Sequence, residues 1–182
     1  MAAASLAVLV GSAEAVRPIA SLDALGALLD LSRLSRAPAR FDESELGHLN
    51  ARLLHDMPFA QVAERIHAMG ITGGEDFWLA VRGNLEHLKG VALWWQVVKG
   101  PVAAHPLADD FKAAALETLP ALPWDQTSWS TWTNAIKAKT GLSGKALFMP
   151  LRLALTGHEH GPELKALLPL IGPEQVRARL SV

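Results

Sequence analysis

Apolar residues along this chain recur three and four positions apart, and no stretch sustains the two-residue alternation of a half-buried strand. The pattern predicts an all-α protein, a bundle of about nine to eleven helices. Ser21 is placed to cap a helix through Leu31, and Asp42 with Glu45 forms a capping-box signature for a helix to about Asp56. Pro58 starts the next helix, which stops before Gly70. Another is expected from Glu75 to Lys89, continuing after Gly90 through Trp94 and Trp95. The connector GPVAAHP, Gly100 to Pro106, precedes a helix over Leu107 to Leu119, and Pro120 to Pro123 forms a further break. Thr127 to Thr140 reads as a helix closed by Gly141, followed by one that Ser143 caps and Gly157 ends. Gly161-Pro162 and Gly172-Pro173 act as stop-and-start pairs, each proline opening a helix. No repeat of solenoid length is present.

Half of the 182 residues are hydrophobic, which excludes a disordered chain and supplies a core for one large or two small domains. The preferred boundary is the Gly100 to Pro106 connector, giving units 1–100 and 101–182. The absence of cysteine excludes disulfides and thiolate chemistry and fits a cytoplasmic protein. The opening MAAASLAVLVGSAEA has the small-residue end of an export signal, yet no Lys or Arg precedes its apolar run and the run is too short to cross a bilayer. It reads as a buried helix, and no membrane association is expected.

A net charge of -1 does not by itself point to nucleic acid. The distribution is more informative. Residues 1–132 carry ten basic and fifteen acidic side chains, a balance of -5, whereas 133–182 carry seven and three, a balance of +4. A phosphate contact is therefore expected in the C-terminal third.

That third contains the stretch Gly141 to Leu164, GLSGKALFMPLRLALTGHEHGPEL. Leu147, Leu151 and Leu155 form an apolar stripe, and Arg152 falls on a separate face. From spacing alone Arg152 is a surface arginine near a helix C-terminus, favoured there by the helix dipole. The turn after Gly157 reads either as a helix connection or as a backbone that a planar ligand approaches closely. His158 and His160, two apart with no third ligand, do not form a metal site. The six tryptophans read as core, and Asp109-Asp110 point in different directions. No phosphate-binding glycine loop or Ser/His/Asp arrangement supports catalysis.

The run GKALFMPLRLALTG followed by GPEL closely resembles the C-terminal anticodon-binding region of bacterial glutamyl-tRNA synthetases. The segments LSRLSRAPARFDESELGHLN, Leu31 to Asn50, and FWLAVRGNLEHL, Phe77 to Leu88, are similar to upstream parts of the same region. Neither a HIGH-like nor a KMSKS-like signature is found, so the chain resembles the tRNA-reading part without the adenylating part. The resemblance implies the fold of the class I synthetase anticodon-binding domain. It implies tRNA, in particular tRNA for glutamate, as partner, and a role in orienting that tRNA for ATP-dependent glutamylation. No catalytic residue and no cofactor is expected in this chain, ATP and magnesium belonging to the catalytic domain.

The same resemblance assigns anticodon contacts to Arg152, Gly161, Pro162 and Leu164, with Pro162 and Leu164 offering apolar surface to unstacked bases. A guanidinium suits the first position because its planar fork bonds a phosphate or base edge and stacks on a base. Two positions depart from the family: Met149 stands where relatives can carry a polar contact, and Asn84 falls near an arginine with which some members discriminate the third anticodon base. Arg33, Arg36 and Arg40 are candidates to clamp the tRNA backbone, as are Lys139 and Lys145, with solvated surface charge as the alternative for each. A competing expectation is a paralogue that works through protein contacts, docking a catalytic domain or other partner on apolar surface around Ala4 to Val10.

Overall fold

A computed structural model describes residues 1–10, 12, 14–30, 32, 34–35 and 42–182. Among these residues all regular structure is helical. The α-helices are α1 (Ala2–Leu9), α2 (Leu22–Leu28), α3 (Glu43–Asp56), α4 (Ala63–Ala68), α5 (Gly74–Val81), α6 (Val91–Lys99), α7 (Asp109–Glu117), α8 (Ser128–Thr140), α9 (Lys145–Thr156), α10 (Leu164–Ile171) and α11 (Pro173–Leu180). None is long and apolar enough to cross a membrane.

Local chemistry sets most of these ends. Ser21 Oγ accepts from Ala24 N at 3.2 Å, and α2 closes at Leu28 because Leu29 is extended. Asp42 Oδ1 accepts from the backbone N of Ser44 at 2.8 Å and from its hydroxyl at 2.7 Å, opening α3. Gly141 and Gly157 stop α8 and α9 in left-handed conformations, φ 73° and 71°. Pro173 is at the start of α11, where its missing N–H costs nothing. Ser143 does not cap α9: Gly144, at φ 56° and ψ -138°, takes the N-cap position, and its carbonyl accepts from the amides of Leu147 and Phe148.

The helix expected from Glu75 to Lys89 breaks at Val81, where a 3-10 turn, Arg82–Asn84, leads into extended Leu85. Helix α3 explains the break. His55 Nε2 donates to the Leu85 carbonyl at 3.1 Å and Asn50 Nδ2 to the Glu86 carbonyl at 2.6 Å, giving this backbone partners outside a helical ladder. Leu85 is drawn inward and is 2% exposed. The Met57 carbonyl beyond the end of α3 accepts from both the Trp78 indole, at 2.8 Å, and the Arg82 guanidinium, at 3.0 Å.

The main core runs from Leu54 and Val62 through Phe77, Trp78, Trp94, Trp132 and Leu151 to Val176 and Leu180. The N-terminal run is not a free docking surface. Leu6 packs with Ala2 on Leu49 of α3, and Leu9 packs on Ile19 and Leu25, leaving Leu6 and Leu9 at 0% and 1% exposure. The Ser5 hydroxyl ties the following strand of chain to α1 by accepting from Ile19 N at 3.0 Å. An apolar run this short finds its partner within the chain.

Among the described residues Arg179 of α11 is the most deeply placed charge, at 9% exposure. Its Nη1 donates to the Leu155 carbonyl at 2.6 Å; its Nη2 lies 2.7 Å from the Val97 carbonyl, 3.0 Å from that of Gly100 and 2.8 Å from Gln175 Oε1. No carboxylate pairs with it among the described residues. The carbonyls it meets are at the C-terminal ends of α6 and α9, where orphan C=O groups carry partial negative charge. Burial nevertheless lowers its pKa.

Replacing Arg179 by Met removes the cation and strands these buried acceptors, so Arg179→Met is expected to lower stability by about 3 kcal/mol in a urea titration. The Asp42 and Asp125 carboxyls are held below the usual carboxylate range, chiefly by hydroxyl donors on Ser44 and Thr127 respectively. Their folded-state values are the lower ones, so their contribution is present above about pH 4 and is lost as pH falls through those values. Denaturant titrations from pH 6 downward should show that loss shrink in the Asp42→Asn, Asp125→Asn double variant.

Candidate functional site

The expected reading segment sits where α9, α10 and α6 meet. Pro150 lies inside α9 and leaves the carbonyl four residues earlier without its helical donor. Two residues on, Arg152 leans across the following loop, and its Nη2 donates to the Pro162 carbonyl at 2.9 Å. Its Nη1 is buried and has no hydrogen-bond partner among the described residues. Burial also lowers the Arg152 pKa. The site therefore contains a guanidinium with one edge fixed and one donor unmet, a costly arrangement in the absence of an acceptor.

The turn from Gly157 to Glu163 is tightly held. Thr156 Oγ1 donates to the Arg152 carbonyl at 2.7 Å and accepts from His158 N at 3.1 Å. The His158 ring meets Trp94 edge-on, with centroids 5.5 Å apart, and Gly161, at φ 138°, lies directly against the same indole. Gly157 passes close to Ala103 of the connector.

Pro162 does not open α10. Glu163 is the N-cap and the helix begins at Leu164. Nor do Pro162 and Leu164 form an exposed apolar shelf: both are buried, Leu164 at 4% exposure within the main core. The amphipathic face of α10 explains this, since Leu164, Leu167, Leu168 and Ile171 share the buried side of a short helix. Exposed Glu163 and Lys165 flank Leu164 and pair at 2.6 Å.

Asn84 is exposed at the end of the turn that follows α5, and it borders a groove of about 590 Å³ whose opposite wall includes Glu163 and Lys165. Asp76, Leu79, Trp124 and Asp125 are among the other residues that line it. The structure thus brings Asn84 and the start of α10 to one depression although some eighty positions separate them in the chain. Arg82 is committed elsewhere, to Met57. Asp125 Oδ1 is occupied by Thr127 N at 2.7 Å, Thr127 Oγ1 at 2.6 Å and Ser128 N at 3.1 Å.

Met149 is half-buried one turn before Arg152, and Lys145 is exposed at the start of α9. Lys139, also exposed, forms an ion pair with Glu117 of α7. Both partners face solvent, so the pair is weak and the ammonium exchangeable. Arg33, Arg36 and Arg40 lie outside the described residues. Among the described residues no group of three His, Cys, Asp or Glu side chains is placed to hold a metal. Spacing did not single out Trp94 or Arg179, because each reads locally as an ordinary helix residue; the need for glycine at 161 was the one available hint.

Residues 108–182 match a family model described as the anticodon binding domain. Glutamate–tRNA ligase 2 of Methylorubrum populi is 57% identical over 179 residues, covering 97% of this chain and 40% of that protein. Glutamate–tRNA ligase 2 of Methylobacterium sp. (strain 4-46) is 59% identical over 182 residues, again across 40% of its length. The chain therefore spans about two fifths of the curated relatives it matches. A solved glutamate tRNA ligase from Elizabethkingia meningosepticum has the same fold over 99% of this chain and 40% of its own, with a TM-score of 0.76 at 18% identity.

Substituting Thr156 by Val keeps its volume, 1% exposed in the core, but removes the acceptor for His158 N. Thr156→Val is expected to cost about 1–3 kcal/mol and to accelerate amide exchange at His158, both measurable in the isolated chain.

Proposed function

We propose that this chain, homologous to the glutamate–tRNA ligases over about two fifths of their length, is a tRNA-binding module that recognises an anticodon. The observation that carries the reading is the match of residues 108–182 to the anticodon binding domain, within which a part-exposed Arg152 stands beside the Gly157–Glu163 turn. A part-exposed guanidinium can bond a base edge or phosphate and stack on a base, and recognition of unpaired nucleotides uses this kind of contact. The excess of basic residues in 133–182 adds attraction for the backbone, with Lys145 and an exchangeable Lys139 on the same part of the chain.

In this reading Gly161 and Pro162 give the turn its shape, Leu164 anchors it in the core, and Met149 and Asn84 border the approach from two sides. Arg33, Arg36 and Arg40 position the tRNA stem. Residues 1–100 serve the stem side and the first anticodon side, and 101–182 the second. The preferred partner is tRNA for glutamate, in the cytoplasm. ATP-dependent chemistry and its magnesium belong to a catalytic domain of the kind the longer relatives' names imply, and this module orients tRNA toward it.

The test is a titration of the chain with tRNA for glutamate and a non-cognate tRNA at two salt concentrations. Cognate-selective binding is expected, with Arg152→Ala losing roughly 1–3 kcal/mol of discrimination and Arg152→Lys failing to restore it. Binding that is equally strong for both tRNAs would reduce the module to a general RNA binder, and no binding at either salt would remove the proposal.

A further inference from the structure

We infer that Trp94 is a positioning residue for RNA recognition: from beneath the Gly157–Glu163 turn it fixes where that turn and Arg152 stand, without touching RNA itself. The inference rests on the RNA-binding reading above. Trp94 is 7% exposed and belongs to α6, far from the turn in sequence. Its ring receives the His158 ring edge-on at 62°. A Cβ on Gly161 would stand 2.1 Å from its Cη2, 2.6 Å from Cζ2 and 2.9 Å from Cζ3, so the turn backbone rests on the six-membered ring at a distance only glycine permits.

The turn has a second set of supports on α9, through Arg152 to the Pro162 carbonyl and Thr156 to His158 N. The two supporting helices are in turn registered to each other, because Arg179 bonds Val97 and Gly100 at the end of α6 and Leu155 near the end of α9. With these points fixed, the turn and the Arg152 guanidinium bonded to it stand in one place before any ligand arrives. Ordering that would otherwise oppose binding is then already complete. Trp95 takes no part: its ring packs on Phe77, with centroids 5.0 Å apart, on the α5 side.

The experiment compares Trp94→Phe, Gly161→Ala and Trp132→Phe in the full chain, by thermal melting, amide exchange at residues 158–161 and affinity for a tRNA-Glu transcript. Trp132 is the control because it is equally a core indole, 0% exposed, but donates to the Ala115 carbonyl of α7 at 2.9 Å and meets Trp129 edge-on, not the turn. Trp94→Phe shortens the ring that supports the turn, and Gly161→Ala lifts the turn off it from the other side. Both are expected to weaken tRNA binding about tenfold or more and to speed exchange at 158–161, while α11 amides keep their protection. Trp132→Phe lowers the melting temperature and keeps wild-type affinity. Wild-type affinity in Trp94→Phe, or equal losses in Trp94→Phe and Trp132→Phe, overturns the positioning role alone. A wild-type chain that binds no tRNA overturns the RNA reading and this inference with it.

Discussion

A buried arginine that has no carboxylate partner among the described residues holds this fold in register. Taking a guanidinium out of water is costly unless its donors are met, and here the compensation comes from helix ends. Arg179 collects carbonyls from the last turns of α6 and α9 and from the residue just past α6, together with the amide of Gln175 one turn earlier on its own helix. Each of those helix ends carries unsatisfied C=O groups by construction, so one side chain meets needs that would otherwise fall to solvent. Because planar donors tolerate little misalignment, the contact also fixes how three helices lie against each other.

The candidate site inherits that geometry. Its turn leaves α9 one residue after Thr156, crosses Trp94 of α6 and enters α10, so its two walls are the helices that Arg179 ties together. The adjacent tryptophans of α6 divide the work on either side of the helix. Trp94 supports the turn, while Trp95 faces Phe77 and lies under Lys99, whose ammonium also donates to the Leu170 carbonyl of α10 at 3.3 Å. The groove beside Asn84 then opens between α5 and α10, walled by charges of both signs. A rigid turn next to a mixed polar groove suits unpaired bases, which offer both flat faces and hydrogen-bonding edges.

Local signals in the chain were legible where the physics is local. Ser21, Asp42, Gly141, Gly157 and Pro173 all act at the helix ends where their chemistry placed them, since a cap depends on neighbours within one turn. Leu147, Leu151 and Leu155 are buried as their spacing required. The failures have longer-range causes. The helix after Glu75 breaks at Val81 because Asn50 and His55 of α3 bond the carbonyls of Leu85 and Glu86, and those partners lie some thirty positions away. Pro162 falls before α10 with its carbonyl bonded by Arg152 from α9, and the apolar N-terminal run is covered by α2 and α3.

Sequence by itself therefore determined the all-helical class, most of the stops and starts, and the likeness of the GKALFMPLRLALTG stretch to a tRNA-reading region. Those properties reside in periodicity, capping chemistry and residue order, which need no knowledge of distant contacts. Tertiary structure alone decided that Leu164 is core, that Asn84 shares a groove with the start of α10, that Trp94 lies beneath Gly161 and that Arg179 is buried. Each of these is a meeting of groups far apart in the chain, and only packing, which sets burial and leaves one donor of Arg152 unmet, brings them together.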